Sequence, residues 1–289
     1  MPLQTTIAIL GAGSLANGLA PKLYGAGYTV TEIVGRDSAG SRRHARLLAK
    51  QVHARPVTAS DAAFDATLLW FCVPDRAIRA AASSLAKRNI GKLKYAFHSS
   101  GALSGHELAD LKRRGLSVAS VHPLMTFVFG ATPSLDGVPF VLEGDPAAVR
   151  LARSIVRRLG GATYLLPASR KPAYHTWATM TSPLLVAFLV ALEQVARKAG
   201  LGKKDARRMS LPILRQTIAN YAALGPADSF SGPIIRGDAA TVAKHLGVLR
   251  KDTVARDTYI ALANAALRSL PARNRKELRR LLQQTQDSK

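Results

Sequence analysis

The sequence predicts an α/β protein in which a domain built on a mainly parallel sheet is followed by an all-α domain. Three observations carry this expectation. A glycine-rich turn, Gly11-Ala-Gly13, stands directly behind the first short apolar run. Short β-branched runs then alternate with longer helical patterns through the first half, as βαβ units require. After Ser169 the composition shifts to Ala- and Leu-rich segments with helical spacing.

Strands are expected at Thr6–Leu10, Thr29–Val34, Arg55–Val57, Thr67–Val73, Tyr95–His98 and Val118–His122, short runs rich in apolar and β-branched residues. Between them, Ser14–Gly25, Ser38–Gln51, Arg76–Lys87 and Ser104–Arg114 read as helices. Pro139–Leu142 and Thr163–Leu166 flank a further helical pattern, Pro146–Leu159, and extend the same sheet. The sheet domain is therefore placed at residues 1–167 and the helical domain at 168–289. In the second, Ala173–Gly200 and Lys203–Leu224 carry helical spacing. Ser182-Pro183 interrupts the first of these as an N-cap and a first-turn proline, giving either a kinked helix or two helices. The polar tail Gln283–Lys289 is expected to fray.

At roughly 150 residues per domain, a chain of 289 residues fits about two domains. Hydrophobic residues at 47% and charged residues at 20% exclude a disordered chain. Lys and Arg number 41 against 18 Asp and Glu, a formal charge of +23, so anionic molecules of any kind are attracted. Specific nucleic-acid binding is not expected: aromatics are only 6%, and basic clusters such as Lys112–Arg114, Lys203–Arg208 and Arg273–Arg280 occur in both halves without a stacking platform. The one cysteine, Cys72, lies in the apolar run Leu68–Val73, where a buried, inert thiol in a reducing compartment is expected. No basic segment precedes Ile7 and the most apolar stretch, Pro183–Leu192, is too short for a bilayer. A cytoplasmic protein without membrane contact is the expectation, and no metal is anticipated.

Gly11-Ala-Gly13-Ser-Leu-Ala16 is a variant of the G-x-G-x-x-G/A fingerprint, set between a strand and a helix. Gly11 permits the tight turn, Gly13 lets backbone approach a pyrophosphate, and the helix opening at Ser14-Leu15 aims its N–H groups at phosphate. The second strand runs into Gly35-Arg36-Asp37-Ser38. Arg36 and Ser38, with Arg42 or Arg43 one turn on, suit a 2′-phosphate, so NADP(H) is preferred, while Asp37 keeps NAD(H) possible.

In a doubly wound sheet the ligand crevice lies outside the carboxyl ends of the strands. Val73-Pro74-Asp75 follows the fourth strand, with Val73 and Pro74 expected beside the cofactor. His98-Ser99-Ser100-Gly101 closes the fifth, and His122-Pro-Leu-Met125 the sixth. Ser99, Ser100 and the Gly101 amide can hydrogen-bond a carboxylate. Taken alone, His98 and His122 read more readily as structural histidines than as catalytic ones. In the second half, the loop Gly232-Pro-Ile-Ile-Arg236-Gly-Asp238 offers a guanidinium fork for an anion, and Asp238 reads as the N-cap of a helix beginning at Ala239.

Together with Lys171, Tyr174-His175 and the Ser231–Asp238 loop, these motifs resemble the Rossmann-like proteins that carry domain of unknown function 2520. That family lies within the 6-phosphogluconate dehydrogenase-like superfamily of ketopantoate reductases, pyrroline-5-carboxylate reductases and β-hydroxyacid dehydrogenases. The resemblance covers nearly the whole chain. It implies an NADP-binding domain, a helical C-terminal domain often used for dimerisation, and oxidoreductase activity. Many superfamily members use a lysine early in the first C-terminal helix and an asparagine four residues on; here Lys171 and His175 have that spacing, with histidine in place of asparagine.

The resulting expectation is an NADPH-dependent reductase of a small carbonyl or imine compound bearing an anionic group. Lys171 or His175 would protonate the developing alkoxide or amine, and Ser99, Ser100, Gly101, His122 and Arg236 would surround the substrate. The alternative from another class is a noncatalytic NADP-binding sensor or scaffold. The apolar helices beyond Ala173 point to a homodimer.

Overall fold

The computed structural model describes residues 5–287, and contacts divide the chain into two compact units between Thr179 and Met180. In the first unit, eight strands form one sheet: β1 (Thr6–Leu10), β2 (Thr29–Gly35), β3 (Arg55–Thr58), β4 (Leu68–Phe71), β5 (Tyr95–His98), β6 (Ser117–Pro123), β7 (Pro139–Gly144) and β8 (Ala162–Leu165). Their order is β3-β2-β1-β4-β5-β6-β7-β8. All neighbours are parallel except β6 and β7, where Val121 faces Leu142 in antiparallel register. Strand order reverses at β1, which fixes the switch-point crevice at the carboxyl ends of β1 and β4.

The helices of this unit are α1 (Ser14–Gly25), α2 (Ala39–Gln51), α3 (Asp75–Ala86), α4 (Ala109–Arg113) and α5 (Pro146–Arg158). Alternation along β1 explains how they divide. Ile7 and Ile9 pack with Leu19 and Leu23 of α1, Leu48 of α2 and Val156 of α5. Ala8 and Leu10 pack on the other face with Ile78 and Leu85 of α3 and Leu111 of α4. A central strand covered on both faces has no polar side, and all four residues of β4 are buried. The expected helix Ser104–Arg114 is a short 3-10 turn, Gly105–Leu108, leading into α4.

A buried carboxylate fastens the long connection between β3 and β4. Glu32 on β2 is 2% exposed. Its Oε1 accepts from the Ala63 amide at 3.1 Å and its Oε2 from the Phe64 amide at 3.0 Å, while Arg55 neutralises it from β3. Phe64 itself is fully buried at a positive φ of 51°, so the loop is held in a conformation that a bulky residue seldom adopts.

The chain then enters α6 (Lys171–Thr181), and Ser182, with φ −123° and ψ −77°, leaves helical geometry before α7 (Pro183–Lys198). Two helices, not one kinked helix, are the outcome. The second unit continues with α8 (Lys203–Asp228), broken at Gly225 (φ 78°) ahead of Pro226, then α9 (Pro233–Arg236), α10 (Ala239–Leu249), α11 (Thr253–Ser269) and α12 (Arg275–Asp287). Its core is Val242 and Leu246 of α10, Ile260, Ala263 and Leu267 of α11, and Leu278 and Leu282 of α12. Asp238 caps α10 as expected, accepting from the Thr241 amide at 3.0 Å. α12 remains helical through Asp287, where fraying was expected, and Ser288 and Lys289 lie outside the described residues.

One expectation about membranes needs correction. Ala168–Lys198 is a 31-residue stretch, its most apolar window having a mean hydropathy of 1.5 and only 6% of that window buried, so by length and composition it can cross a bilayer. Counting Pro183–Leu192 alone missed this because α6 extends the run. The break at Ser182 and the wholly buried, polar-bonded Lys171 at the head of α6 instead fit helices that pack against protein.

Removing the Glu32 carboxylate leaves two loop amides without acceptors. Glu32→Ala is expected to cost about 2–5 kcal/mol of unfolding free energy, read from urea denaturation. An unchanged midpoint would mean that the carboxylate contributes nothing to holding the loop.

Candidate functional site

The β1–α1 turn is shaped before any ligand arrives. Gly11 has φ 111°, and a Cβ there would lie 2.3 Å from the carbonyl oxygen of Cys72 and 3.2 Å from Val73, so only glycine fits between β1 and the end of β4. Its amide donates to Val34 O at 2.8 Å. Gly13 differs: nothing lies within 4 Å of the missing side chain, which leaves free space beside the first turn of α1. Asn17 sets the loop by donating through Nδ2 to Ala12 O (3.1 Å) and Gly13 O (2.9 Å). With those carbonyls turned inward, the N–H groups around Ser14 are left for an anion at the positive end of α1. Leu15 turns its side chain onto the core beside α1, so only its backbone can serve a ligand. Pro74 caps α3, and the Cγ1 of Val73 stands 3.2 Å from where a Cβ on Gly11 would lie. The residues present thus fit a dinucleotide. Asn17 was not recognised from the sequence; its i+4 spacing from Gly13 is the signal that could have found it.

At the end of β2, Arg36 and Ser38 are both exposed. The Arg36 amide is held by Ser41 Oγ at 2.8 Å. Arg42 pairs with Asp37 across the first turn of α2, so the acidic residue that favours NAD is already engaged.

At the carboxyl end of β5, two adjacent serines have opposite tasks. Ser100, 4% exposed, donates from Oγ to Asp75 Oδ2 (2.7 Å) and accepts there from the amides of Ala102 (3.2 Å) and Leu103 (2.9 Å). A hydroxyl has one donor and two lone pairs, so Ser100 has nothing left for a substrate. Its expected role as a substrate ligand is replaced by that of a loop anchor. Ser99 is half-buried and its Oγ accepts from the indole Nε1 of buried Trp70 at 2.9 Å. That bond leaves the Ser99 O–H free to donate into the crevice.

Beneath this loop, His98 is wholly buried, with Nε2 on Ser104 O (2.9 Å) and Nδ1 accepting from the Ser100 amide (3.1 Å). This pairing requires the neutral ring, and burial lowers the imidazole to about 4.

Lys171 is also wholly buried. Its ammonium donates to Ser100 O (3.0 Å) and to Ser120 Oγ (2.7 Å) in the middle of β6, and Ser120 in turn donates to Ser100 O (3.0 Å). Burial pulls the group down to about 8, partly offset by the charges of Glu143 and Asp75. The expectation that Lys171 reaches substrate is corrected: its ammonium points under the Ser99–Gly101 loop, where hydrogen-bond acceptors wait, and away from the surface.

The other residues on this face of α6 do converge at the loop. Tyr174 OH meets His122 Nδ1 at 2.7 Å, with the rings perpendicular at 5.5 Å. A Cβ on Gly101 would stand 2.7 Å from His175 Cδ2 and 2.9 Å from His122 Nε2, so glycine makes room for both imidazoles. Burial, followed by the charges of Lys171, His175 and His98, brings His122 down to about 4, and burial pushes the Tyr174 phenol up to about 12. Both are uncharged at neutral pH. Tyr174, Asp75, Ser120 and Trp70 are the polar residues of this site to which the sequence reading gave no role. Arg236 ends α9 in the second unit with its side chain exposed, and Asp238 beside it is used as a cap.

Two titrations follow. The folded-state value of His98 lies below its unfolded value, so unfolded chains bind the proton more readily and stability falls as pH drops from about 6.5 toward about 4, by on the order of 3 kcal/mol. Lys171 acts in the alkaline range, where stability gains as pH rises from about 8 toward 10.5. Urea denaturation across pH tests both; His98→Gln should remove about half of the acid limb, His122 supplying the rest, and Lys171→Met should flatten the alkaline one.

Residues 138–266 match the family described as domain of unknown function 2520, and residues 6–93 match the family described as NADP oxidoreductase, coenzyme F420-dependent. Both halves of the chain are thus similar to known families, the C-terminal match being the one that the motifs resemble. Among solved structures, a candidate NADP oxidoreductase from Bacteroides fragilis is similar at 22% identity, over 91% of this chain and 97% of that one, with a TM-score of 0.75. A protein from Thermotoga maritima shares 22% identity over 97% and 99% of the two chains, TM-score 0.67. A reductive aminase from Aspergillus terreus, in complex with NADPH and ethyl-5-oxohexanoate, shares 17% over 92% and 94%, TM-score 0.62. These likenesses establish the fold. No curated protein matches the chain by sequence.

Proposed function

We propose that the chain is an NADPH-dependent oxidoreductase acting on a small carbonyl or imine compound that bears an anionic group. The observation that carries this reading is one of placement: a glycine turn built for a diphosphate and a crevice of uncharged hydrogen-bonding side chains sit at the carboxyl ends of strands in one sheet. When bound, reduced nicotinamide supplies the hydride. Ser99 offers a fixed O–H to an acceptor on the substrate, and the buried Gly101 makes room for the imidazoles of His122 and His175. Lys171 holds the loop from below. The net charge of +23 draws such a substrate in.

NADP is preferred over NAD because Arg36, Ser38 and the Arg42–Asp37 pair present a basic rim where the 2′-phosphate sits. The Bacteroides fragilis and Aspergillus terreus relatives support the cofactor class by their descriptions. Residues 1–167 then form the cofactor domain and 168–289 the substrate and dimerisation domain of a cytoplasmic homodimer. The dimer is supported by apolar side chains exposed along α7 and α8, among them Leu184, Val186, Val190, Ile213, Ile218 and Leu224. The buried Lys171 favours a second reading, a noncatalytic NADP-binding sensor; turnover separates the two.

NADPH binding, followed by nucleotide fluorescence, is expected in the micromolar range and at least tenfold tighter than NADH. Arg36→Ala should weaken NADPH by about tenfold or more and leave NADH within twofold. Absence of NADPH binding at millimolar concentration removes the reading.

A further inference from the structure

The hydrogen bond between His122 and Tyr174 goes beyond a binding crevice. We propose that Tyr174 is the proton donor of the reaction and His122 its relay, which makes the substrate a carbonyl compound and not an iminium; this rests on the reductase reading above. The two residues come from β6 and α6 and meet at 2.7 Å through Nδ1 and the phenolic oxygen. Of the titratable groups at the loop, His98 has both ring nitrogens engaged and Lys171 is wholly buried. Tyr174, by contrast, keeps partial exposure.

An imidazole with its hydrogen on Nδ1 donates to the phenolic oxygen, which leaves the phenolic O–H free to point at a substrate. With a reduced nicotinamide bound, its hydride would form the new C–H bond as the π pair of the C=O bond moves onto oxygen. That oxygen takes the phenolic proton, the phenolate takes the Nδ1 proton of His122, and Nε2 of the same ring takes one from water. The net consumption is one hydride and one solvent proton per alcohol formed. The phenol is held protonated to about 12 and the imidazole stays neutral down to about 4, so the pair enters the reaction uncharged. Such a phenol protonates an alkoxide readily but is far too weak an acid to keep an imine protonated. The charged or titratable groups facing the pair are Lys171 below it, His175 beside Gly101 and His98 at the end of β5.

Ethyl levulinate serves as the ketone probe and 1-pyrroline as the imine probe. Tyr174→Phe is expected to lower kcat on the ketone by a factor on the order of 100 or more, with NADPH affinity unchanged. His122→Asn should lower it less. A Tyr174→Phe enzyme within threefold of the wild type on the ketone, or one that loses as much on the imine, overturns the proposal. An equilibrium arm needs no turnover. Ultraviolet difference titration of the Tyr174 phenol, identified by its absence in Tyr174→Phe, should shift by about one pH unit in His122→Asn. An identical titration in both proteins also overturns the proposal. Failure of the wild type to bind NADPH speaks instead against the reductase reading.

Discussion

A single buried ammonium ties the site together. Lys171 opens α6, yet its side chain ends among Ser100 O on the β5 loop and Ser120 Oγ in the centre of β6, with carboxylates only at longer range. A buried cation without an adjacent carboxylate is costly, and the two hydrogen bonds offset that cost only while both acceptors stay in place. The loop that carries Ser99, the strand that carries His122 and the helix that carries Tyr174 and His175 are therefore fixed relative to one another. A movement that withdraws one acceptor weakens the hold on the ammonium, so the two hydrogen bonds keep the three elements in register.

Much of the fold was legible because the sheet has an unambiguous pattern. β1, with its glycine turn, is read from five residues and two glycines, and β5 matches its expected limits. The carboxyl-end placement of His98–Gly101 and His122 follows from topology alone. What could not be read was the direction of side chains from α6. Spacing of i and i+4 states that Lys171 and His175 share a face, and i+3 adds Tyr174, but spacing does not say which member of the face turns into the core. Contacts between distant positions decide that: Trp70 with Ser99, His122 with Tyr174, Asp75 with Ser100. Each pair is 25 or more residues apart, beyond the reach of any local pattern.

The paired serines show how far a neighbourhood alters residues of one type. Both belong to the same turn and either looks able to bind an anion. Trp70 consumes a lone pair of Ser99 and so makes it a directed donor, whereas three bonds consume every valence of the Ser100 hydroxyl.

The latch formed by Asn17 has a further consequence. Since Ala12 O and Gly13 O are already restrained, the diphosphate turn surrenders little conformational freedom when a nucleotide docks, and association there is nearly free of an ordering penalty. Arg36, exposed at the end of β2, retains rotamers to lose, whereas Arg42 is already paired with Asp37. On the reading proposed above, the choice between the two nicotinamide dinucleotides falls to this exposed rim, while the turn at Gly11–Gly13 treats them alike.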